Sequence, residues 1–235
     1  MFDQAQVVGE LRHRMAMVGA VDGDESGSVL PVAAPLAAAL PRGGLARGSV
    51  VSVLGQGATS LLFALLAGPE APWTALVGMP GVGLLAAAEF GIDLDRVVVI
   101  PEPGPDVLQV LSILVDGVDM IAVALPTQVM PGPSRQRVLT GRLRQRGSVL
   151  LVMGPWPGAD LVLTASWTGF SGLGRGHGRL RDRELTVEVG GRGAAAGRGA
   201  RATLLLRAGR TAVEIVSAAP ARVQSGTFEP VAEVS

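Results

Sequence analysis

The chain has 235 residues, 48 % hydrophobic and 17 % charged, enough apolar material for one sizeable core. It contains no Cys, which excludes disulfides and thiol nucleophiles, and all 20 of its basic side chains are Arg, which excludes any lysine-based phosphate contact or Schiff base. Formal net charge is zero, but residues 1–126 hold 5 Arg against 13 acids (−8) and residues 127–235 hold 15 Arg against 7 acids (+8); either one face meets an anionic or complementary partner, or the loops simply differ in composition.

In chain order, MFDQAQVVGELRHRM lacks the apolar centre of a secretory signal, and without Cys the chain suits a reducing cytoplasm. Residues 3–18 place Val7, Val8, Leu11, Met15 and Val18 on one helical stripe. GDESGS at 23–28 reads as a linker, and LPVAAPLAAALPRGGLARG as a short helix between turns. Then a rhythm sets in. SVVSVLG, WTALVG, RVVVI, DMIAVAL and SVLLVMG read as apolar strands. TSLLFALLAG, GLLAAAEFG, PDVLQVLSILVDG and SRQRVLTGRLRQRG read as the helices between them. Such alternation predicts a mainly parallel sheet covered on both faces. Residues 48–69 are uncharged and long enough to span a bilayer, but four Gly, a Pro and several polar residues split them into a strand–turn–helix unit. After residue 155, ADLVLTASW, RLRDRELTVEVG, ARATLLLRAG and RTAVEIV read as antiparallel strands; GRGAAAGRG is a loop and the tail from about Ala218 is loose. The domain reading is 1–47 N-terminal helix and linker, 48–218 α/β core, 219–235 tail.

Residues 55–62, GQGATSLL, occupy the strand-to-helix turn where many proteins cradle a phosphate. With LPRGGLARGSVVSVLG before them, and GIDLDRVVVIPEP and VDMIAVAL after, the order of segments resembles the RecA recombinase family over roughly residues 30–216. The resemblance implies an α/β fold with a RecA-like, phosphate-loop-type core, an N-terminal helical extension and antiparallel strands at the C-terminal edge. It also implies three catalytic groups: a loop lysine, a Ser/Thr and strand-end Asp for Mg²⁺, and a glutamate that polarises water. An ungapped match puts Leu61 and Leu62 at the lysine and Ser/Thr positions, a gapped match puts Ala58 and Thr59 there, Pro80 replaces the glutamate, and Ala124 the Asp. One lost charge-assisted phosphate contact costs about 2–4 kcal/mol. With cation, metal ligand and base all missing, no ATP hydrolysis is expected, and Gly55, Gly57, Thr59 and Ser60 form a degenerate nucleotide-binding loop.

Within that family the chain is similar to the actinobacterial ImuA/ImuA-prime accessory proteins of the mutagenic translesion-synthesis cassette. This implies a nonenzymatic adaptor, induced by DNA damage in the SOS response. Its implied partners are an inactive Y-family polymerase homologue and an error-prone replicative-type polymerase. The expected setting is cytoplasmic and nucleoid-associated, with no cofactor, no metal and no membrane, weak DNA contact and self-association through the N-terminal helix.

Three readings compete. The first is a RecA-type ATPase or DNA-binding module that keeps nucleotide affinity. The second is a dinucleotide (NAD or FAD) enzyme, because Gly81-x-Gly83-x-x-Ala86 follows a strand and opens a helix and Glu102 ends the next strand. The third is a division inhibitor of the same superfamily. Basic residues cluster twice. The helix at 134–146 carries Arg135, Arg142 and Arg146 on one edge and Arg137 and Arg144 on the opposite side; the glycine-rich GFSGLGRGHGRLRDR carries Arg175, Arg179, Arg181 and Arg183 on an expected mobile loop. Each is either a solvated surface whose stems cover apolar area or a contact for phosphates or an acidic partner. No aromatic residue interleaves with the helix arginines, which argues against base stacking there. The two histidines, His13 and His177, stand in no catalytic arrangement, Ser171 lacks nucleophile-elbow spacing, and Asp93 and Asp95 read as turn caps.

Overall fold

The computed structural model describes residues 29–125, 131–173, 177–192 and 200–218. The helix read at 3–18, the tail beyond 218, most of GRGAAAGRG and Arg175 lie outside the described residues.

Nine strands form one sheet in the order β11-β10-β9-β8-β3-β7-β6-β4-β5. Its parallel part comprises β3 (Val50–Leu54), β4 (Thr74–Val77), β5 (Val97–Ile100), β6 (Met120–Val123) and β7 (Val149–Met153). Between them run α2 (Ala58–Leu66), α3 (Leu84–Glu89), α4 (Val107–Leu114) and α5 (Pro133–Arg146). The central strands are apolar at every position because both faces are covered. Val51, Val53, Leu76, Ala122 and Leu151 face α2 and α3, while Val50, Val77, Ile121, Val123 and Leu150 face α4 and α5. Helix ends follow local chemistry. Asp106 caps α4 by accepting from Gln109 N, and Pro133 opens α5, which Gly147 closes at φ +72°. Asp93 accepts from Asp95 N at 3.1 Å in the turn before β5.

The C-terminal strands are β8 (Leu161–Phe170), β9 (Asp182–Gly191), β10 (Arg201–Ala208) and β11 (Val213–Ser217). β8 departs from the antiparallel reading: it runs parallel to β3, in register from Val51↔Leu161 to Leu54↔Thr164, and antiparallel to β9. It is the strand at which the sheet changes sense. Because β3 ends at Leu54, β8 continues past it from Ala165 to Phe170 with β9 alongside. One face of the C-terminal strands packs Leu163, Leu185, Val187, Leu204 and Leu206 into the core beside α2. The other is polar: Thr186 hydroxyl lies 3.1 Å from that of Thr168 and 3.4 Å from that of Thr203, and Arg201–Glu188 and Arg207–Glu214 pairs cross the strands.

Residues 30–48, read from sequence as a short helix between turns, keep one helical turn but set it inside a β-hairpin. β1 (Val29–Pro31) pairs with β2 (Gly44–Ala46), flanking α1 (Ala34–Ala37). Leu30, Leu36, Leu40 and Leu45 are buried in the same core as α2, and α1 packs on β10 and β11. No described helix is long and apolar enough to cross a membrane.

Candidate functional site

The strand-to-helix turn after β3 is three residues, Gly55–Gly57, before α2 begins at Ala58. It is packed shut. Gly55 has φ +93°, and a Cβ there would stand 2.1 Å from Ala165 O. At Gly57 a Cβ would stand 2.1 Å from Leu185 Cδ1. The Gly57 N–H, the kind of donor a phosphate loop turns toward its ligand, donates to Ala165 O at 3.1 Å. Behind the turn, Leu61 and Leu62 are each 0 % exposed in the α2 core. Both positions given by the ungapped match are therefore interior, whereas Ala58 is partly buried and Thr59 exposed at the helix start. The extension of β8 and its partner strand β9 pack Ala165 and Leu185 against the two glycines of the turn.

The other positions agree with that geometry. Ala124 immediately follows β6, and Pro80 follows β4 by three residues, so the chain ends that would carry the metal ligand and the base bring no carboxylate. Gly81 and Gly83 lie outside the left-handed region; a Cβ on Gly81 meets nothing within 4 Å, and one on Gly83 meets only Ala86 Cβ at 3.6 Å. The protein's own backbone thus gives no reason for glycine at either position: neither a left-handed turn nor close helix–strand packing requires it. GPWPGAD folds inward: Trp156 is buried, its N–H donates to Ser52 Oγ at 3.0 Å, and Asp160 accepts from Val50 N at 2.9 Å. Among the described residues no group of three His, Cys, Asp or Glu is placed to hold a metal.

The two arginine clusters differ in a way the sequence does not show. On α5, Arg142 and Arg146 both bind Asp116, the latter at 3.1 Å, and Arg144 approaches Asp160 at 3.8 Å from the opposite side. Three of the five arginines thus tie α5 to the end of α4 and the start of β8. Arg135 and Arg137 are exposed without an ion pair among the described residues, and Arg135 borders an open groove of about 410 Å³ between α4 and α5.

The second cluster sits on the β8–β9 hairpin, and the segment expected to be a mobile loop is hydrogen-bonded well beyond the strands. Ser171 N donates to Asp182 O at 2.9 Å, Arg181 N to Ser171 O at 3.0 Å and Arg179 N to Gly172 O at 3.1 Å; Leu173 bridges Gly178. A bulge between Trp167 and Gly169 resets the alternation of β8. Residues three apart in a regular strand face opposite ways, but here Trp167 and Phe170 stand together, ring centroids 5.9 Å apart. The Arg183 guanidinium lies 5.5 Å over the Trp167 ring. Trp167 pairs with Leu185, the residue that fills the closed turn, so the aromatic cluster adjoins it directly. Phe170 is 60 % and Leu173 65 % exposed, and among the described residues Arg179, Arg181 and Arg183 form no ion pair. Sequence reasoning missed this cluster because its members meet only through the hairpin register and the bulge; the pairing of Trp167 and Phe170 with an arginine-rich return strand was the available signal.

Residues 38–158 match the family model described as the MT3502 N-terminal domain. A relative from Mycobacterium tuberculosis (strain ATCC 25618 / H37Rv), "Uncharacterized protein Rv3395c", is 36 % identical over 206 residues, covering 80 % of this chain and 93 % of its own length. The chain belongs to the MT3502 N-terminal domain family. The family match spans β2 to β7, including the turn after β3 and α5, and stops before β8. Among solved structures, the KaiC-like protein PH0186 from Pyrococcus horikoshii OT3 aligns with TM-score 0.50 and 12 % identity over 81 % of this chain and 99 % of that one. The flagellar accessory protein FlaH from Methanocaldococcus jannaschii aligns with TM-score 0.47 and 12 % identity over 75 % and 92 %. With the sheet order above, the fold of this MT3502-family chain is RecA-like.

Proposed function

We propose that the protein is a nonenzymatic RecA-like adaptor in DNA-damage-induced, error-prone translesion synthesis, and that it binds an inactive Y-family polymerase homologue. The observation that supports the nonenzymatic half is the turn after β3: Gly57 N–H donates to Ala165 O, and a Cβ at Gly55 or Gly57 would meet Ala165 O or Leu185 Cδ1 at 2.1 Å. The chain has no lysine to neutralise a triphosphate. What remains usable is surface, and the resemblance of the chain's small size, Arg- and Ala-rich composition and degenerate phosphate loop to the translesion accessory branch supplies the partner class. In this reading the error-prone replicative-type polymerase joins through the same assembly, DNA contact is secondary, and the protein works in the cytoplasm near the nucleoid.

Two measurements test it. Calorimetry with MgATP should show no binding, and micromolar affinity would overturn the nonenzymatic half in favour of a RecA-type nucleotide-binding module. Purified polymerase homologue should form a complex with the full chain; its failure to do so would overturn the adaptor half.

A further inference from the structure

We propose that the groove between α4 and α5 is the seat of the chain's own N-terminal segment, residues 3–18, bound as an amphipathic helix in the same molecule. This is independent of the adaptor reading. The groove has a volume of about 410 Å³ and is walled by Leu108 of α4 and by Arg135, Val138 and Leu139 of α5. Its floor is apolar: Leu139 is 3 % exposed, and Leu108 packs on the same core cluster. On the rim Val138 is left 72 % exposed, an aliphatic side chain on a helix that is otherwise rich in arginine. An open apolar trough between two helices, with a polar rim, is the shape that takes the side chains of a third helix.

Two observations name the occupant. The first is where the described chain begins. Val29 opposes Ala46 in the β1–β2 pair. The next residue, Arg47, lies against Gly147, its Cδ 3.6 Å from where a Cβ would stand, and Gly48 packs on Arg144. Residues 1–28 therefore join the domain beside the C-terminal end of α5. From Gly147 back to Leu139 the helix rises only about 12 Å. Residues 19–28 can span about 33 Å when extended, so the link reaches the groove with slack. It also holds the segment there at an effective concentration on the order of millimolar, which favours its own domain over that of a second copy.

The second observation is pattern. Val7, Val8, Leu11, Met15 and Val18 make an apolar stripe that is about 17 Å long as a helix, close to the length of the 14-residue α5. A helix this short is marginal in water and forms by burying its stripe. Charge agrees with the direction of the chain. With Val18 at the end of α5 nearest Val29, Asp3 falls at the end of the groove that carries Arg135.

The chain has no Cys, so one introduced pair reports one contact. Leu11 on the stripe and Val138 on the rim come to about the same height along α5. The full-length variant Leu11→Cys/Val138→Cys should form a disulfide within the monomer under mild oxidation, read on non-reducing gels and by peptide mass spectrometry. Leu11→Cys/Glu214→Cys, with its second thiol at the β11 edge of the sheet, should not. Hydrogen exchange should show the amides of residues 3–18 protected in the wild-type chain. Val138→Glu should lower that protection at least about tenfold, and so should Leu11→Glu/Met15→Glu. Unchanged protection of β3 to β7 verifies that these variants fold. A cross-link found only between two copies would assign the groove to a second chain and overturn the proposal. Absence of the cross-link together with unprotected amides in residues 3–18 would also overturn it, as would protection that Val138→Glu leaves unchanged.

Discussion

Restoring the missing cation separates a loop that merely lacks charge from one that is closed. The alignment allows two places for it. Leu61→Lys puts an ammonium at a position that is 0 % exposed in the α2 core. Removing the buried leucine surface costs about 2–3 kcal/mol. Holding the lysine neutral near pH 7 against an ordinary pKa of about 10.4, at 1.36 kcal/mol per unit, costs about 4–5 kcal/mol more. The sum, about 6–8 kcal/mol, rivals the entire stability of an ordinary domain. Leu61→Lys should therefore be unfolded or insoluble, as read by near-UV circular dichroism and urea titration. Ala58→Lys stands at the first residue of α2, partly exposed, and should fold with a loss below about 1 kcal/mol. It should still bind no MgATP by calorimetry, because Gly57 N–H already donates to Ala165 O and Leu185 packs directly on Gly57. Nucleotide binding by Ala58→Lys would show that the turn opens and that only the charge was missing. A stable Leu61→Lys would show that α2 does not pack as described.

Gly55→Ala should destabilise by at least about 2 kcal/mol in urea unfolding, because φ is +93° and the new Cβ meets Ala165 O at 2.1 Å, while Gly81→Ala, with nothing within 4 Å, should stay within about 0.5 kcal/mol; equal effects would refute the closed-turn geometry. Asp119→Ala removes the acceptor of both Arg47 at 3.1 Å and Trp73 N at 3.0 Å, with side chains only 17 % and 13 % exposed in the ion pair, and should cost about 2–4 kcal/mol by the same titration. Ser52→Ala strands the buried Trp156 N–H and should cost about 1–3 kcal/mol, visible as a red-shifted tryptophan emission as the GPWPGAD turn loosens. Replacing Arg142 and Arg146 together by Ala breaks two half-exposed bridges to Asp116 and should lower stability by no more than about 1 kcal/mol, with less effect at high salt.

The alternation of apolar runs with helical patterns was enough to read the layered α/β core, because a strand buried on both faces must be apolar throughout and its flanking helices must be amphipathic. Every strand from β3 to β7 lies inside the segment its residues announced. The absence of lysine was likewise a property of composition alone, and it leaves the strand-to-helix turn without the lysine of an ordinary phosphate loop. Three things belonged to tertiary structure. The turn at Gly55–Gly57 is closed by Ala165 and Leu185, which lie more than a hundred residues further along and arrive only because β8 outruns β3. Charge counting treated all the arginines alike, yet Asp116 and Asp160 pair with Arg142, Arg144 and Arg146 and leave Arg135 and Arg137 of the same helix unpaired among the described residues, a distinction that depends on which acids fold beside them. Trp167 and Phe170, three apart and so assigned to opposite faces by strand periodicity, share a face because a bulge inserts one residue between them. Local pattern dictates which element forms, since that depends on neighbours in sequence; what closes a site or leaves a cation unpaired depends on neighbours in space, which only the completed sheet supplies.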